Sequence, residues 1–251
     1  MNLDHVVAVR SKKTIYRDGD MAIKLFDSDY LRTDVLNEAL NQARAEKTNL
    51  NVPKIYEVAK HDGKWVIISE FIEGQTLSHL MQDNPEKFDE YLELFVKLQM
   101  QVHNQRSPML SRMRDKIRMR LIALEDLDAT TRFDLIFRLE DMPRHNSVCH
   151  GDFHPSNIII KSDGTPYILD WSHAVQGSGA ADLAITYLML MISHGEDVSK
   201  QYLDIVERIY PQIPRREVLH WLPIAAASLA IKWEGDAKAL LLSKVDYNFY
   251  R

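Results

Sequence analysis

Residues 150–171, HGDFHPSNIIIKSDGTPYILDW, set polar clusters against short apolar runs, and this stretch restricts the fold more than any other. Helical patterns flank it, yet it reads as strand and turn. NIIIKS and TPYILDW are separated by Asp163-Gly164, a strong hairpin signal between apolar runs. A two-residue turn centred there sets Ser162 opposite Thr165, Ile159 opposite Ile168 and, at the open end, Asn157 opposite Asp170. Opposed residues have Cβ atoms about 5 Å apart, so an amide oxygen and a carboxylate arrive at one place. A bulge would shift the register by one residue and break that match. Pro166 suits an exposed edge beside the turn. Two hard oxygen donors suit magnesium, which takes one or two protein ligands and leaves room for waters and phosphates. Asp152 lies in the loop ahead of Asn157, placed to accept a proton from an attacking hydroxyl, and Gly151 supplies the turn before it.

The chain ahead of residue 75 is strand-rich. KTIYRDGDMAIKLF reads as two strands joined by Asp18-Gly19, and Asp62-Gly63 joins PKIYEVAK to KWVIISEF. Between them, 34–47 has apolar residues at helical spacing: Val35, Leu36, Ala39, Leu40 and Ala43. In MAIKLF, Ala22 and Lys24 share one face. A lysine inside an apolar strand is costly to bury unpaired. Its partner is Glu38 or Glu46, of which the helical wheel favours Glu46; the other reading is an edge-strand lysine in water. After Gly74 helical patterns dominate, over 76–83, 87–105, 110–126, 129–142, 180–194, 197–210, 215–231 and 236–244. The expectation is an α+β protein in two parts. Residues 1–75 form a small antiparallel sheet with one helix, and residues 76–251 form a larger, mainly helical part.

The 251 residues suffice for a sizeable core, and a net charge of −5 gives no general reason to expect nucleic acid. No apolar run reaches the roughly 18 residues that would span a membrane, and the N-terminus lacks a signal-peptide pattern. The single cysteine, Cys149, reads as a small buried residue rather than a reactive thiol and fits a reducing, cytoplasmic setting. The basic stretch RSPMLSRMRDKIRMR (106–120) reads as a solvated helix surface. Arg112, Lys116 and Arg120 share one side and Arg114 and Arg118 point elsewhere; the weaker alternative is reception of an anionic acceptor.

The ordered set AIK, a helix glutamate, VPKIYEV, SEFIEG, HGDFHPSN and DW resembles the aminoglycoside phosphotransferase and choline kinase superfamily. These are small-molecule kinases with a bilobal protein-kinase-like fold. The resemblance implies ATP- or GTP-dependent, magnesium-dependent transfer of a γ-phosphate to a hydroxyl of a small molecule of aminoglycoside, amino alcohol or sugar type. It makes residues 1–75 the nucleotide-binding lobe and 76–251 the lobe with the catalytic loop and acceptor-binding helices. It implies Asp152 as catalytic base, Asn157 and Asp170 as magnesium ligands, Lys24 on the α- and β-phosphates and Glu38, rather than Glu46, as its partner. Glu70, Phe71 and Ile72 match the connector whose backbone meets adenine, Asp182 an aspartate that braces the catalytic region, and His150 a structural histidine. A G-x-G-x-x-G loop is missing, so phosphate contacts fall to 10–14, through backbone amides and Ser11 or Thr14. Ser172 stands where many relatives carry glutamate.

Two rival readings remain. His150, Asp152, His154 and Asp170, with His173, suggest a metal-dependent hydrolase; a nucleotide-binding module without catalysis is the other. The acceptor is open. Glu234, Asp236 and Asp246 would suit a polycation, and Trp221, Trp233, Tyr247, Phe249 and Tyr250 would suit a quaternary amine, with packing the plainer role for the two tryptophans.

Overall fold

The structure, a computed structural model, describes residues 1–10 and 12–245. In chain order its elements are β1 (Val6–Arg10), β2 (Lys13–Asp18), β3 (Met21–Phe26), α1 (Arg32–Ala45), β4 (Ile55–His61), β5 (Lys64–Glu70), β6 (Gln75–Thr76), α2 (Leu77–Asp83), α3 (Phe88–His103), α4 (Met113–Ala123), α5 (Ala129–Asp141), β7 (Ser147–Cys149), β8 (Ile158–Ile160), β9 (Pro166–Ile168), β10 (Val175–Gly177), α6 (Gly179–His194), α7 (Glu196–Ile209), α8 (Arg215–Ala230) and α9 (Gly235–Ser243). The helical stretch expected over 34–47 falls on α1, and each one expected after Gly74 falls on one of α2 to α9. The pattern expected from residue 110 starts only at Met113, because Ser111 O accepts the Gln176 N–H at 2.9 Å and Arg112 bridges Gln176. Among the described residues no helix is long and apolar enough to cross a membrane.

The chain divides into two units. The first takes Met1–Lys87 together with Pro155–Ala174, and the second takes Phe88–His154 and the described residues from Val175 on. This differs from the expected cut between residues 75 and 76, and strand pairing is the reason. β6 pairs with β8, Gln75 against Ile160, and β8 pairs with β9, a separate three-stranded sheet that joins the hairpin after the HGD segment to the first unit. Asn51 adds two links, donating from Nδ2 to Pro166 O at 3.0 Å and accepting the Ile168 N–H at 3.0 Å. Gly74 permits the approach: a Cβ there would stand 2.4 Å from Ile160 O.

The first unit is built on a five-stranded antiparallel sheet in the order β1-β2-β3-β5-β4. The β4–β5 turn has both Asp62 and Gly63 at positive φ, 48° and 79°, as a two-residue turn between twisted strands requires. α1 covers the sheet over Phe26, Val35, Ala39 and Ile67, with Tyr30, Ile55, Val58 and Trp65 around them. Its apolar stripe is only partly inward, with Val35 and Ala39 buried. Leu36 and Leu40 are exposed, while Glu38, Asn41 and Gln42 are buried. The polar residues turn inward because each finds a partner there. Asn41 donates to Ser172 O and Ala174 O at 3.2 and 3.4 Å, and Gln42 donates to Pro53 O at 2.8 Å.

The second unit is mainly helical. α6 is its centre, buried along most of its length and packed by α7 and α8. Ser178 caps it, its Oγ accepting the Ala181 N–H at 3.4 Å. β7 and β10 form a short antiparallel pair, Cys149 opposite Val175, which ends immediately before His150.

Candidate active site

β3 carries Lys24 on the face opposite Ile23 and Leu25. Ile15 of β2 is directly opposed to Lys24, so Lys13, two residues earlier, stands on the same face. Above this face α1 presents Glu38, its side chain 3 % exposed. Lys24 Nζ is hydrogen-bonded to Glu38 Oε1. Glu46 lies elsewhere, its Oε1 accepting the Ile55 N–H at 2.8 Å. Lys13 Nζ stands 3.5 Å from Glu38 Oε2 and 3.3 Å from Asp170 Oδ2, and Lys24 Nζ stands 4.0 Å from Asp170 Oδ1. Two cations and two carboxylates thus interlock in the first unit. Burial alone would lower the Lys24 pKa and raise that of Asp170. The carboxylates of Asp170 and Glu38 reverse the first, and the ammonium groups of Lys24 and Lys13 reverse the second. Lys24 is held above its ordinary range and Asp170 well below its own.

The β8–β9 hairpin that leads to Asp170 corrects the expected register. Ile158 pairs with Ile168, Ile159 with Tyr167 and Ile160 with Pro166, a shift of one residue. Gly164 donates its N–H to Lys161 O at 2.9 Å and has φ 83°, while Lys161 donates to Thr165 O at 3.0 Å. The turn is therefore three residues, Ser162-Asp163-Gly164, with glycine at the left-handed bulge position. Asn157 consequently opposes Leu169, whose N–H reaches Asn157 O at 2.8 Å, and not Asp170. Asp170 sits one residue further on, itself at φ 54°, a conformation rare outside glycine and tolerated by aspartate.

Asp170 Oδ1 is buried and, among the described residues, accepts no hydrogen bond. A deprotonated carboxylate oxygen that accepts no hydrogen bond fits a small hard cation such as magnesium, with the neighbouring Asn157 amide as a second oxygen donor. That test concerns donor chemistry alone.

In the second unit a second construction fixes the loop 150–154. Asp182 of α6 is fully buried. Its Oδ1 accepts the Gly151 N–H at 2.9 Å, and its Oδ2 accepts the His150 N–H at 3.3 Å, Gln99 Nε2 at 3.2 Å and His103 Nε2 at 2.9 Å. Burial would raise its pKa, but the His103 hydrogen bond and charge and the Gly151 N–H hold it below the ordinary range. Gly151 has φ 75°, so the bonded peptide turns the chain directly ahead of Asp152. After Asp152, the fully buried Phe153 stacks on Phe95 with centroids 4.7 Å apart, and its carbonyl accepts from Thr186 Oγ1 at 3.4 Å. Asp152 is thereby pinned on both sides. Its side chain remains partly exposed, with Oδ2 3.7 Å from His154 Nε2.

The other expected site residues separate. Ser11 lies outside the described residues. Thr14 is opposed to Leu25, so strand alternation turns it to the face away from Lys24, while Lys13 shares the Lys24 face. Lys13 was missed by sequence reasoning, although its two-residue spacing from Ile15 carried the signal. Glu70, Phe71 and Ile72 continue from the end of β5. The Glu70 N–H donates to Lys54 O and the Phe71 N–H to Asp20 O, at 2.8 and 2.9 Å, and Ile72 is buried. A cavity of about 200 Å³ adjoins all three, with Arg17 stacked 4.3 Å over the Phe71 ring.

His150 is fully buried against the Phe153 ring edge. His150, Asp152 and His154 do not converge as a metal-holding set; the group of that kind among the described residues is His103, Cys149 and Asp182. Cys149 hydrogen-bonds Ser178 O at 3.4 Å, and burial, then the Asp182 charge, push its thiol well above the ordinary range. Trp221 is packed in the core, while Glu234 and Asp236 are exposed; Asp246, Tyr247, Phe249 and Tyr250 lie outside the described residues.

Comparison with known proteins gives this chain's family and fold. Residues 8–218 match the model of a phosphotransferase enzyme family, APH. A probable serine/threonine-protein kinase PknB of Lactococcus lactis subsp. lactis (strain IL1403) is 22% identical over 172 residues, which cover 68% of this chain and 20% of that protein. The apo crystal structure of a thermostable mutant of aminoglycoside phosphotransferase APH(4)-Ia superposes with a TM-score of 0.72 at 15% identity, covering 96% of this chain and 92% of that one. A ternary complex of a thermostable mutant of the same enzyme with AMP-PNP and hygromycin B gives 0.68 at 15% identity, covering 96% and 90%. At these identities the structural likeness is one of fold.

Proposed function

This chain belongs to the phosphotransferase enzyme family, and from that premise we propose that it moves the γ-phosphoryl group of ATP or GTP to a hydroxyl of a small molecule. The observation that carries the reading is the interlocked Lys24, Glu38, Lys13 and Asp170 cluster with its open Asp170 oxygen. A fold relative is complexed with AMP-PNP and hygromycin B, a nucleotide analogue together with a small molecule.

Phosphoryl transfer asks for positioning and charge neutralisation more than covalent chemistry by the protein. Asp170 and Asn157 would hold magnesium, which when bound offsets charge on the phosphates. Lys24, fixed by Glu38, binds phosphate oxygens from the sheet, and Lys13 joins it once released from Asp170. Asp152, fixed by the Asp182 brace, orients the acceptor hydroxyl and takes its proton. The acceptor oxygen forms a bond to the γ-phosphorus as the bridging P–O bond breaks, and its electron pair leaves on the nucleoside diphosphate. The connector Glu70 to Ile72 meets the base. The reading includes a cytoplasmic setting and a dissolved small molecule, neither nucleic acid nor membrane, as partner; the buried Cys149 thiol supports the reducing compartment.

The experiment is acceptor-dependent release of ADP or GDP with and without magnesium, in wild type and Asp152→Ala. Transfer that needs both metal and Asp152 supports the reading. A folded Asp152→Ala protein with undiminished transfer removes it.

A further inference from the structure

The basic residues of α4 divide by partner. Arg114 donates to Leu139 O and to Met142 O, the latter at 2.5 Å, and Arg118 donates to Glu140 Oε1 at 2.7 Å. Glu140 also stands 3.5 Å from Arg114. On the side that runs through Lys116 and Arg120 this pairing stops. Arg120 donates to Ser228 Oγ of α8 at 3.3 Å, and among the described residues no carboxylate lies within ion-pair distance of it or of Lys116. Both side chains are half-buried, one helical turn apart on the same face.

Two like charges set side by side and half out of water, with no ion pair among the described residues, are unfavourable in the free protein. Burial lowers the pKa of each, and the neighbouring Arg120 lowers that of Lys116 further. The carboxylate whose field reaches Arg120 is Asp152. Arg120 thus lies within reach of the charge of the proposed base, Ser228 aims its guanidinium, and Lys116 stands one turn away on the same helix face. An arginine fixed in this way suits two-pronged recognition of a carboxylate or phosphate. A polycation would meet repulsion there.

We propose that the acceptor alcohol carries an anionic group, seated on Arg120 and Lys116 beside the hydroxyl that Asp152 deprotonates. The inference rests on the phosphotransferase reading and narrows its substrate class. The neutral hydroxyl oxygen attacks the γ-phosphorus, its proton passes to Asp152, and the bridging P–O bond breaks with the electron pair leaving on ADP. The anionic group takes no part in bond making; it fixes the distance from the hydroxyl to the base.

The test is initial-rate transfer from magnesium ATP to four acceptor sets: hydroxy acids, sugar phosphates, neutral sugars and amino alcohols with aminoglycosides. The first two sets distinguish carboxylate from phosphate. Wild type, Arg120→Gln, Arg120→Lys and Lys116→Gln are compared, with melting temperature as the check on folding. Glutamine keeps a donor for Ser228, and among the described residues Lys116 makes no side-chain bond whose loss would unfold the protein. The expected result is at least tenfold higher kcat/KM for one anionic set. Arg120→Gln then raises the acceptor KM at least tenfold with the ATP KM within twofold, Arg120→Lys recovers part of it, and Lys116→Gln acts in the same direction. Preference for neutral or cationic acceptors, an unchanged acceptor KM, or a kcat loss common to all acceptors overturns the anion seat and leaves phosphotransfer standing. Absence of transfer to all four sets, with Asp152→Ala indistinguishable from wild type, overturns both.

Discussion

Gly151 donates its backbone N–H to Asp182 Oδ1 at 2.9 Å, so the residue that turns the chain ahead of Asp152 is bonded to a buried carboxylate of α6. The same carboxylate accepts from His150 N–H, Gln99 and His103. Gln99 is held in turn by Tyr202, whose hydroxyl donates to Gln99 Oε1 at 2.7 Å. The loop position is thus set by charge-assisted hydrogen bonds inside the helical unit, and under the proposed function Asp182 would act only by placing Asp152.

Asp182→Asn keeps the shape and removes the charge. Hydrogen bonds to charged groups contribute about 1.5–3 kcal/mol each, and the amide must turn an NH2 toward one of the present donors. Calorimetry is expected to show a melting temperature lower by several degrees, since about 1 kcal/mol shifts a protein of this size by about 2–4 °C. Transfer is expected to fall through kcat, with the ATP KM within a few-fold. A loss in ATP KM alone would show that the brace does not position the base.

The same residue gives a pH signature. The Asp182 pKa is lowered in the folded protein from its ordinary 3.8. The stability that follows is fully present above pH 3.8 and is lost as pH falls through the lower folded value. Urea midpoints of wild type and Asp182→Asn should differ at pH 7 and converge as pH drops below the ordinary value. A gap that widens in acid has the wrong sign for this linkage.

Lys13 and Thr14 are neighbours in sequence and opposites in the sheet. Lys13 shares a face with Lys24 and bonds Asp170, while Thr14 faces the other way with Leu25. Lys13→Ala is expected to raise the ATP KM about tenfold, equivalent to ~1.4 kcal/mol, and Thr14→Ala to change it less than twofold. Equal effects would mean that strand alternation does not govern which of the pair meets phosphate.

Gly164 stands at φ 83° with nothing within 4 Å of an added Cβ. Gly164→Ala therefore meets strain without a clash, about 1–2 kcal/mol for a left-handed alanine. A melting temperature lower by a few degrees with unchanged kcat is expected. An unchanged melting temperature would point to a different turn.

The strands, the helices and the residue types of the site were legible because each rests on local pattern. What escaped the sequence depends on geometry that pattern does not encode. Asp62-Gly63 and Asp163-Gly164 are the same dipeptide, yet the first makes a two-residue turn and the second a three-residue turn with a bulge. That difference of one residue moved Asn157 from Asp170 to Leu169. The first unit reclaims 155–174 through β6, two residues long and without periodicity to read. On α1 the apolar stripe of Val35, Leu36, Ala39, Leu40 and Ala43 is inward only at Val35 and Ala39, while buried partners for Glu38, Asn41 and Gln42 rotate the helix so that Leu36 and Leu40 face out.

That rotation of α1 separates two glutamates that composition alone treats alike. Glu38 is 3 % exposed and paired with Lys24 and Lys13, whereas Glu46 accepts one backbone hydrogen bond from Ile55. Removing one member of a buried ion pair strands its partner and costs about 3–5 kcal/mol; losing one hydrogen bond to a charged group costs about 1.5–3 kcal/mol. Glu38→Ala is expected to destabilise the protein more and to raise the ATP KM at least tenfold, because Lys24 loses the group that aims it. Glu46→Ala is expected to lower the melting temperature while leaving the ATP KM within twofold. The deciding measurement is the ATP KM of each folded variant, and a larger rise for Glu46→Ala would assign the lysine's partner to the wrong turn of the helix.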